Sequence, residues 1–67
     1  MTELQESLVK VMKGLNVPFS VALPTMLRLE TEEEELELAR FFLDNRGREL
    51  REGEIVNKVS EILSTRP

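Results

Sequence analysis

Cysteine, histidine, tyrosine and tryptophan are all missing from this chain of 67 residues. Without cysteine, the chain can form neither a disulfide bond nor a thiolate metal site. Without histidine, general acid–base catalysis would have to use carboxylates and lysines, and paired carboxylates do such work only in a cleft that separates their pKa values. A chain of this size offers little room for a cleft. We therefore expect no enzymatic activity, no cofactor and no bound metal.

Long apolar runs are missing as well. None approaches the roughly 20 residues that cross a bilayer, and the N-terminus lacks the basic and apolar regions of a secretory signal. We therefore expect a cytoplasmic protein with no membrane partner. The net charge is −4 at pH 7, and six glutamates lie between positions 30 and 37. Because this charge disfavours long-range attraction to phosphates, we do not expect nucleic acid as a partner.

Length and composition together predict one small folded domain, residues 1–67. Hydrophobic residues make up 40% of the chain and charged residues 33%, which is typical of a globular protein. A chain of this length buries only about 60% of its unfolded surface, so its stability is marginal without further help. Since disulfides and thiolate metal sites are excluded, that help must come from good helix packing or from oligomerisation.

The strongest local signal predicts a central helix at residues 31–46. The Thr31 hydroxyl can accept a hydrogen bond from the first turn, and Glu34 can reach back to the Thr31 N–H, which is the pattern of a capping box. The glutamates of the first turn lie at the positive end of the helix dipole, where carboxylates are stabilised. Gly47 can take the left-handed conformation that closes a helix.

The apolar residues of the central helix cover more than one of its faces. They are Leu36, Leu38, Ala39, Phe41, Phe42 and Leu43. Phe42 shares a face with Leu38 and should be fully buried, whereas Phe41 is displaced from that face. One small chain can hardly cover both faces, so we predict a two-fold homodimer formed through the central and last helices, with acidic ends beside basic ends. The predicted interface consists of Leu38, Phe41, Phe42, Arg46, Arg48 and Arg51.

Two further helices are predicted at residues 2–13 and 53–64. Thr2, with a glutamine three residues on, repeats the capping-box pattern, and Gly53 is suited to be an N-cap. We expect residues 64–67 to fray. The apolar stripes of these helices are Leu4, Leu8, Val11 and Leu15 in the first, and Ile55, Val56, Val59, Ile62 and Leu63 in the second.

Residues 15–30 give no clear signal. Pro18 and Pro24 both exclude an uninterrupted helix. Apolar alternation favours an extended, mostly buried connector, while residues 25–30 could form either a helical turn or a strand. The predicted fold class is therefore all-α: a small domain of three helices with an irregular connector, extended in whole or in part, between the first and the second.

The run of glutamates is the most conspicuous chemical feature. It could be a solvated helix start that matches the helix dipole, or it could function as a cation site, a nucleic-acid mimic or a docking patch for a basic partner. A calcium loop of the EF-hand type is excluded, because that loop alternates Asp and Asn around a central glycine. The candidate acidic docking patch consists of Glu32, Glu33, Glu34, Glu35 and Glu37.

The order of elements resembles that of the ribbon–helix–helix family of dimeric DNA-binding repressors. An alternating segment, a capped helix, a glycine turn and a second helix follow one another. The resemblance implies a ribbon at Met26–Glu30 and helices at Glu32–Asn45 and Glu54–Leu63. A ribbon that reads a DNA groove carries basic or amide side chains on its outward face, whereas this one would offer Arg28 beside Glu30.

The function predicted from these patterns is that of a non-enzymatic protein–protein interaction module, a small regulatory or adaptor protein that self-associates. Its partner would be a second copy of itself or another protein. Two alternatives stay open. One is a dimeric DNA-binding regulator of the ribbon–helix–helix type, and the other is an acidic inhibitor that mimics nucleic acid.

Overall fold

The computed structural model describes residues 1–66, which form four α-helices. These are α1 (Glu3–Gly14), α2 (Phe19–Leu27), α3 (Glu32–Asp44) and α4 (Glu52–Ser64). No strand occurs within this range. The predicted all-α class is confirmed, but the predicted count of three helices is wrong, because the connector between the first two contains a helix of its own.

This additional helix, α2, forms in spite of its proline. Pro18 is the N-cap, and Pro24 lies inside the helix, where it removes one backbone hydrogen-bond donor. Almost every residue of the segment is apolar, so the alternation that suggested an extended connector fits a helical period equally well. Burial of one face compensates for the lost hydrogen bond. The buried residues of α2 are Ala22, Thr25 and Met26.

The ribbon expected at Met26–Glu30 does not form. The first two residues of that segment complete α2, and Arg28 follows in a right-handed helical conformation. The Leu29 N–H donates to the Met26 carbonyl within the same turn, and is therefore not offered to a partner strand. The order of elements in the ribbon–helix–helix family thus does not describe this fold.

The three predicted helices differ from the observed ones by one or two residues at their ends, and two of these differences change the role of a glycine. α4 begins before Gly53, because Arg51 is the N-cap and its N–H donates to the Glu54 carboxylate at 3.4 Å. α3 ends at Asp44, two residues before the predicted end. Gly47 takes the left-handed conformation, with φ of +85°, in the turn that follows. The glycine therefore shapes the connection to α4 rather than the last turn of α3.

The helices pack around one hydrophobic core, with α1 against α2 and α3, and with α3 against α4. α1 and α3 point in the same direction, because Gln5 near the start of α1 donates to Glu35 near the start of α3. α4 runs antiparallel to α3, since Arg66 beyond its end reaches Glu34. Side chains with less than 2% exposure include Met12, Met26, Leu38, Ile55 and Val59.

We expect Phe42→Ala to destabilise the fold by about 3–5 kcal/mol, most of the stability of a domain this size. Phe42 is 9% exposed and belongs to the core, so truncation leaves a cavity. Leu27→Ala is the control, because Leu27 is 58% exposed. Thermal and urea unfolding measure both effects. A Phe42→Ala melt within a few degrees of wild type would show that Phe42 is peripheral to the core.

Candidate interaction surface

Three apolar residues of the predicted interface lie in the interior of the fold or against a neighbouring helix. Leu38 has no exposure, and Phe42 faces the same core. Phe41 is half-buried, and the Lys58 ammonium of α4 lies 5.7 Å from the centre of its ring, within the range of a cation–π contact. α4 thus covers Phe41 on the second apolar face of α3. Of the three, only Phe42 also borders a surface groove, so most apolar surface for a partner must come from other residues.

The three arginines of the predicted interface are exposed and lie between the end of α3 and the start of α4. Arg48 has partners within the chain: its Nε donates to Asn45 at 2.9 Å, and it forms an ion pair with Glu54 at 3.4 Å. Arg51 is the N-cap of α4. Arg46 has no ion-pair partner among residues 1–66 and is available to an external carboxylate.

An apolar stripe on α3 remains exposed to solvent. Leu36 is 50% exposed and Leu43 is 60% exposed, with half-buried Ala39 between them. Spacings of three and four residues place these side chains on one face, which we call the α3 stripe. Glu33 precedes the stripe and Arg46 follows it. The sequence signal was the Leu36 to Leu43 spacing, but these leucines were not among the predicted interface residues.

A groove with a volume of about 420 Å³ runs beside the α3 stripe, between α1 and α3. Its far end is formed by the loop that follows α3, which carries Arg46 and Arg48. Ala39 and Leu43 belong both to the groove and to the α3 stripe, so the two form one continuous apolar surface. α1 contributes Leu4, Leu8, Val11 and Leu15 to the groove, and α3 contributes Ala39, Phe42 and Leu43.

A second exposed apolar face lies on α2. Phe19 is 49% exposed and Leu27 is 58% exposed, with half-buried Leu23 midway between them. Spacings of four residues place the three on one side of the helix, and no residue of α2 carries a charge. This face was missed by the sequence prediction, because the helix itself was missed.

The five glutamates of the predicted acidic docking patch lie in different environments in the structure. Glu35 is only 6% exposed and accepts a hydrogen bond from Gln5 at 2.8 Å. Glu34 also has partners within the fold, since it accepts hydrogen bonds from Arg66. The three that remain exposed are Glu32, Glu33 and Glu37. The surface available to a basic partner is therefore smaller than the sequence suggested.

Glu34 connects the start of α3 to the end of the chain. It completes the predicted capping box with Thr31, and its carboxylate also accepts from the Glu30 N–H at 2.8 Å. Arg66 donates to both carboxylate oxygens of Glu34, at 2.6 and 2.9 Å, and pairs with Glu30 at 3.0 Å. Arg66 therefore does not fray as predicted for residues 64–67; Pro67 lies outside the described residues.

This arrangement stabilises the ionised form of Glu34. The hydrogen bond from Arg66, followed by that from the Glu30 backbone, lowers the Glu34 pKa from 4.5 to about 2. A carboxyl group whose pKa is lower in the folded state stabilises the fold above its unfolded pKa. That contribution is lost as the pH falls from 4.5 towards about 2.

We expect Arg66→Met to be less stable than wild type near neutral pH, and the difference to shrink as the pH falls below 4.5 and to disappear below about pH 2, where Glu34 becomes protonated in the fold. Urea unfolding across this pH range measures the difference. Arg48→Met is the control and should show a smaller effect, because the Arg48–Glu54 pair is longer and its side chains are 58% and 42% exposed. A difference that stays constant with pH would contradict the role of the ion pair.

Within residues 1–66, no helix is long and apolar enough to span a bilayer, and no cluster of side chains has the arrangement of a metal site. The chain matches no protein-family model, no curated protein and no solved structure. The features of the molecule that bear on its function are therefore the apolar surface between α1 and α3 and the charges around it.

Proposed function

We propose that this chain is a non-enzymatic protein–protein interaction module that self-associates as a homodimer, in the manner of a small regulatory or adaptor protein. The observation that carries the proposal is the α3 stripe, an exposed apolar face with Glu33 at one end and Arg46 at the other. Contiguous exposed apolar surface in a small protein typically marks an interface. The cytoplasmic location expected from the sequence stays part of this proposal.

The energetics support a role for the whole surface rather than for the stripe alone. Burial of a leucine side chain contributes about 1.5–3 kcal/mol, so the four half-exposed stripe leucines of a dimer would contribute about 3–6 kcal/mol. A micromolar complex needs about 8 kcal/mol, after a cost of about 4 kcal/mol or more for lost freedom of motion. The groove beside the stripe must therefore be covered too.

The two alternative functions receive less support. A regulator of the ribbon–helix–helix type needs a strand at Met26–Glu30, and the start of that segment is helical. An acidic nucleic-acid mimic needs its carboxylates to face outward, whereas Glu34 and Glu35 face partners within the chain. Neither alternative gives a role to the exposed leucines of α3, whereas an interaction module would bury them against its partner.

We expect sedimentation equilibrium to show a dimer for wild type and a folded monomer for Leu43→Glu. The dimer would bury the new carboxylate in apolar surface with no opposite charge to pair with it, which is unfavourable. Leu27→Glu is the matched control: it places the same charge at an equally exposed leucine on α2 and should leave the dimer intact. Phe41→Glu is less suitable, since Phe41 packs against α4. Only the 7.7 kDa species up to millimolar concentration would contradict self-association.

We expect no specific binding to double-stranded DNA at about 0.15 M salt, where screening leaves only short-range contacts. The reasons are the net charge of −4 and the absence of a basic ribbon within residues 1–66. A fluorescence-anisotropy titration measures binding, with a scrambled duplex as control. Sub-micromolar, sequence-dependent affinity would instead support the DNA-binding alternative.

A further inference from the structure

We propose that two copies of α3 pack antiparallel about a two-fold axis that passes between Ala39 and Arg40, with Leu36 of each copy entering the groove between α1 and α3 of the other, beside Leu43. This inference rests on the proposed self-association and specifies its geometry. In this register, Leu36 faces the partner's Leu43, because both lie equally far from the axis.

The charges that border the α3 stripe favour this antiparallel register. The same axis places Glu33 beside the partner's Arg46, and each dimer contains this pair twice. Both side chains are exposed, and neither forms an ion pair within residues 1–66. A parallel arrangement would instead place like charges together at both ends. Charges of this kind fix orientation more than they add affinity, while apolar burial supplies most of the stabilisation.

The shape of the surface favours the same register. Ala39 is the smallest side chain of the stripe and lies next to the axis, which allows two helices to approach to about 8 Å. The groove lies directly beside it and is walled on the far side by Val11, which is 40% exposed. A leucine from a second copy would cover Val11 and Leu43 together. α1 would therefore form the second side of the interface, in place of the last helix expected from the sequence.

Arg40 is the unfavourable element of this arrangement. It is exposed and lies beside the axis, so the two copies of its guanidinium approach each other. Like charges at such a distance weaken association. Arg40→Gln should therefore strengthen the dimer, whereas a dimer formed through α2 would be insensitive to this change.

Cysteine crosslinking tests the register, because the wild-type chain has no cysteine and each introduced thiol is unique. Ala39→Cys should form a disulfide with its own copy, since the two thiols meet at the axis. Leu36→Cys alone and Leu43→Cys alone should not, because like positions lie about 10 Å apart along the helices. A mixture of Leu36→Cys and Leu43→Cys should give the mixed disulfide. Mass spectrometry under non-reducing conditions identifies each species, and circular dichroism verifies the fold.

Charge reversal provides an independent test. Glu33→Arg or Arg46→Glu alone should weaken the dimer about tenfold, because both exposed pairs are lost. The double variant should restore it, since the pairs form again with reversed sign. Glu52→Arg is the matched control, because Glu52 is an exposed glutamate in the first turn of α4, outside the proposed interface, and forms no ion pair within residues 1–66.

The outcomes separate the register from the proposed function. Crosslinking of Leu36→Cys with itself and of Leu43→Cys with itself would show a parallel dimer and overturn the register, while self-association would stand. A wild-type dimer without any of these crosslinks would place the interface elsewhere and also overturn the register. A wild-type chain that stays monomeric in sedimentation would overturn both.

Discussion

The anchoring of α3 at its N-terminus is the constraint on which the rest of the structure depends. α3 is the helix against which both α1 and α4 pack, and its first turn carries four glutamates. Two of these hold the neighbouring helices in place. Glu35 binds Gln5 of the α1 capping box, and Glu34 binds Arg66 beyond the end of α4. The helix dipole stabilises these carboxylates, so the same charges start the helix and fix its neighbours.

The exposed stripe follows from this arrangement. The bond to Glu35 places α1 on one side of α3, and the contact of Lys58 with Phe41 places α4 on another. The four short helices of residues 1–66 leave no further element in this range to cover the third side. Leu36 and Leu43 remain exposed to solvent for that reason, and their exposure does not indicate that α3 is unstable. A small domain that fills its core in this way can gain further burial only from a second molecule.

The sequence predicted the features that depend on local chemistry and missed those that depend on packing. Both capping boxes form as expected, and Leu38 and Phe42 share the core face. α2 was missed because a segment that is apolar on all sides does not reveal its period. The surface position of Leu43 could not be predicted either, because it depends on where α1 and α4 pack around α3. The contact of Arg66 joins residues 32 positions apart, which no local pattern indicates.

The charges on α3 and in the turn that follows it differ in position as well as in sign. The acidic first turn matches the helix dipole in an isolated helix, so the dipole alone accounts for the presence of these glutamates. Arg46 lies beyond the end of the helix at Asp44. The dipole does not account for the positions of the glutamates around the helix. Glu34 and Glu35 point to partners within the chain. Glu33 and Arg46 instead border the α3 stripe and form no ion pair with any residue from 1 to 66. In an antiparallel pair, Glu33 lies beside the partner's Arg46 and the two helix dipoles point in opposite directions. Both arrangements are electrostatically favourable, so one distribution of charge stabilises the fold and suits the proposed dimer.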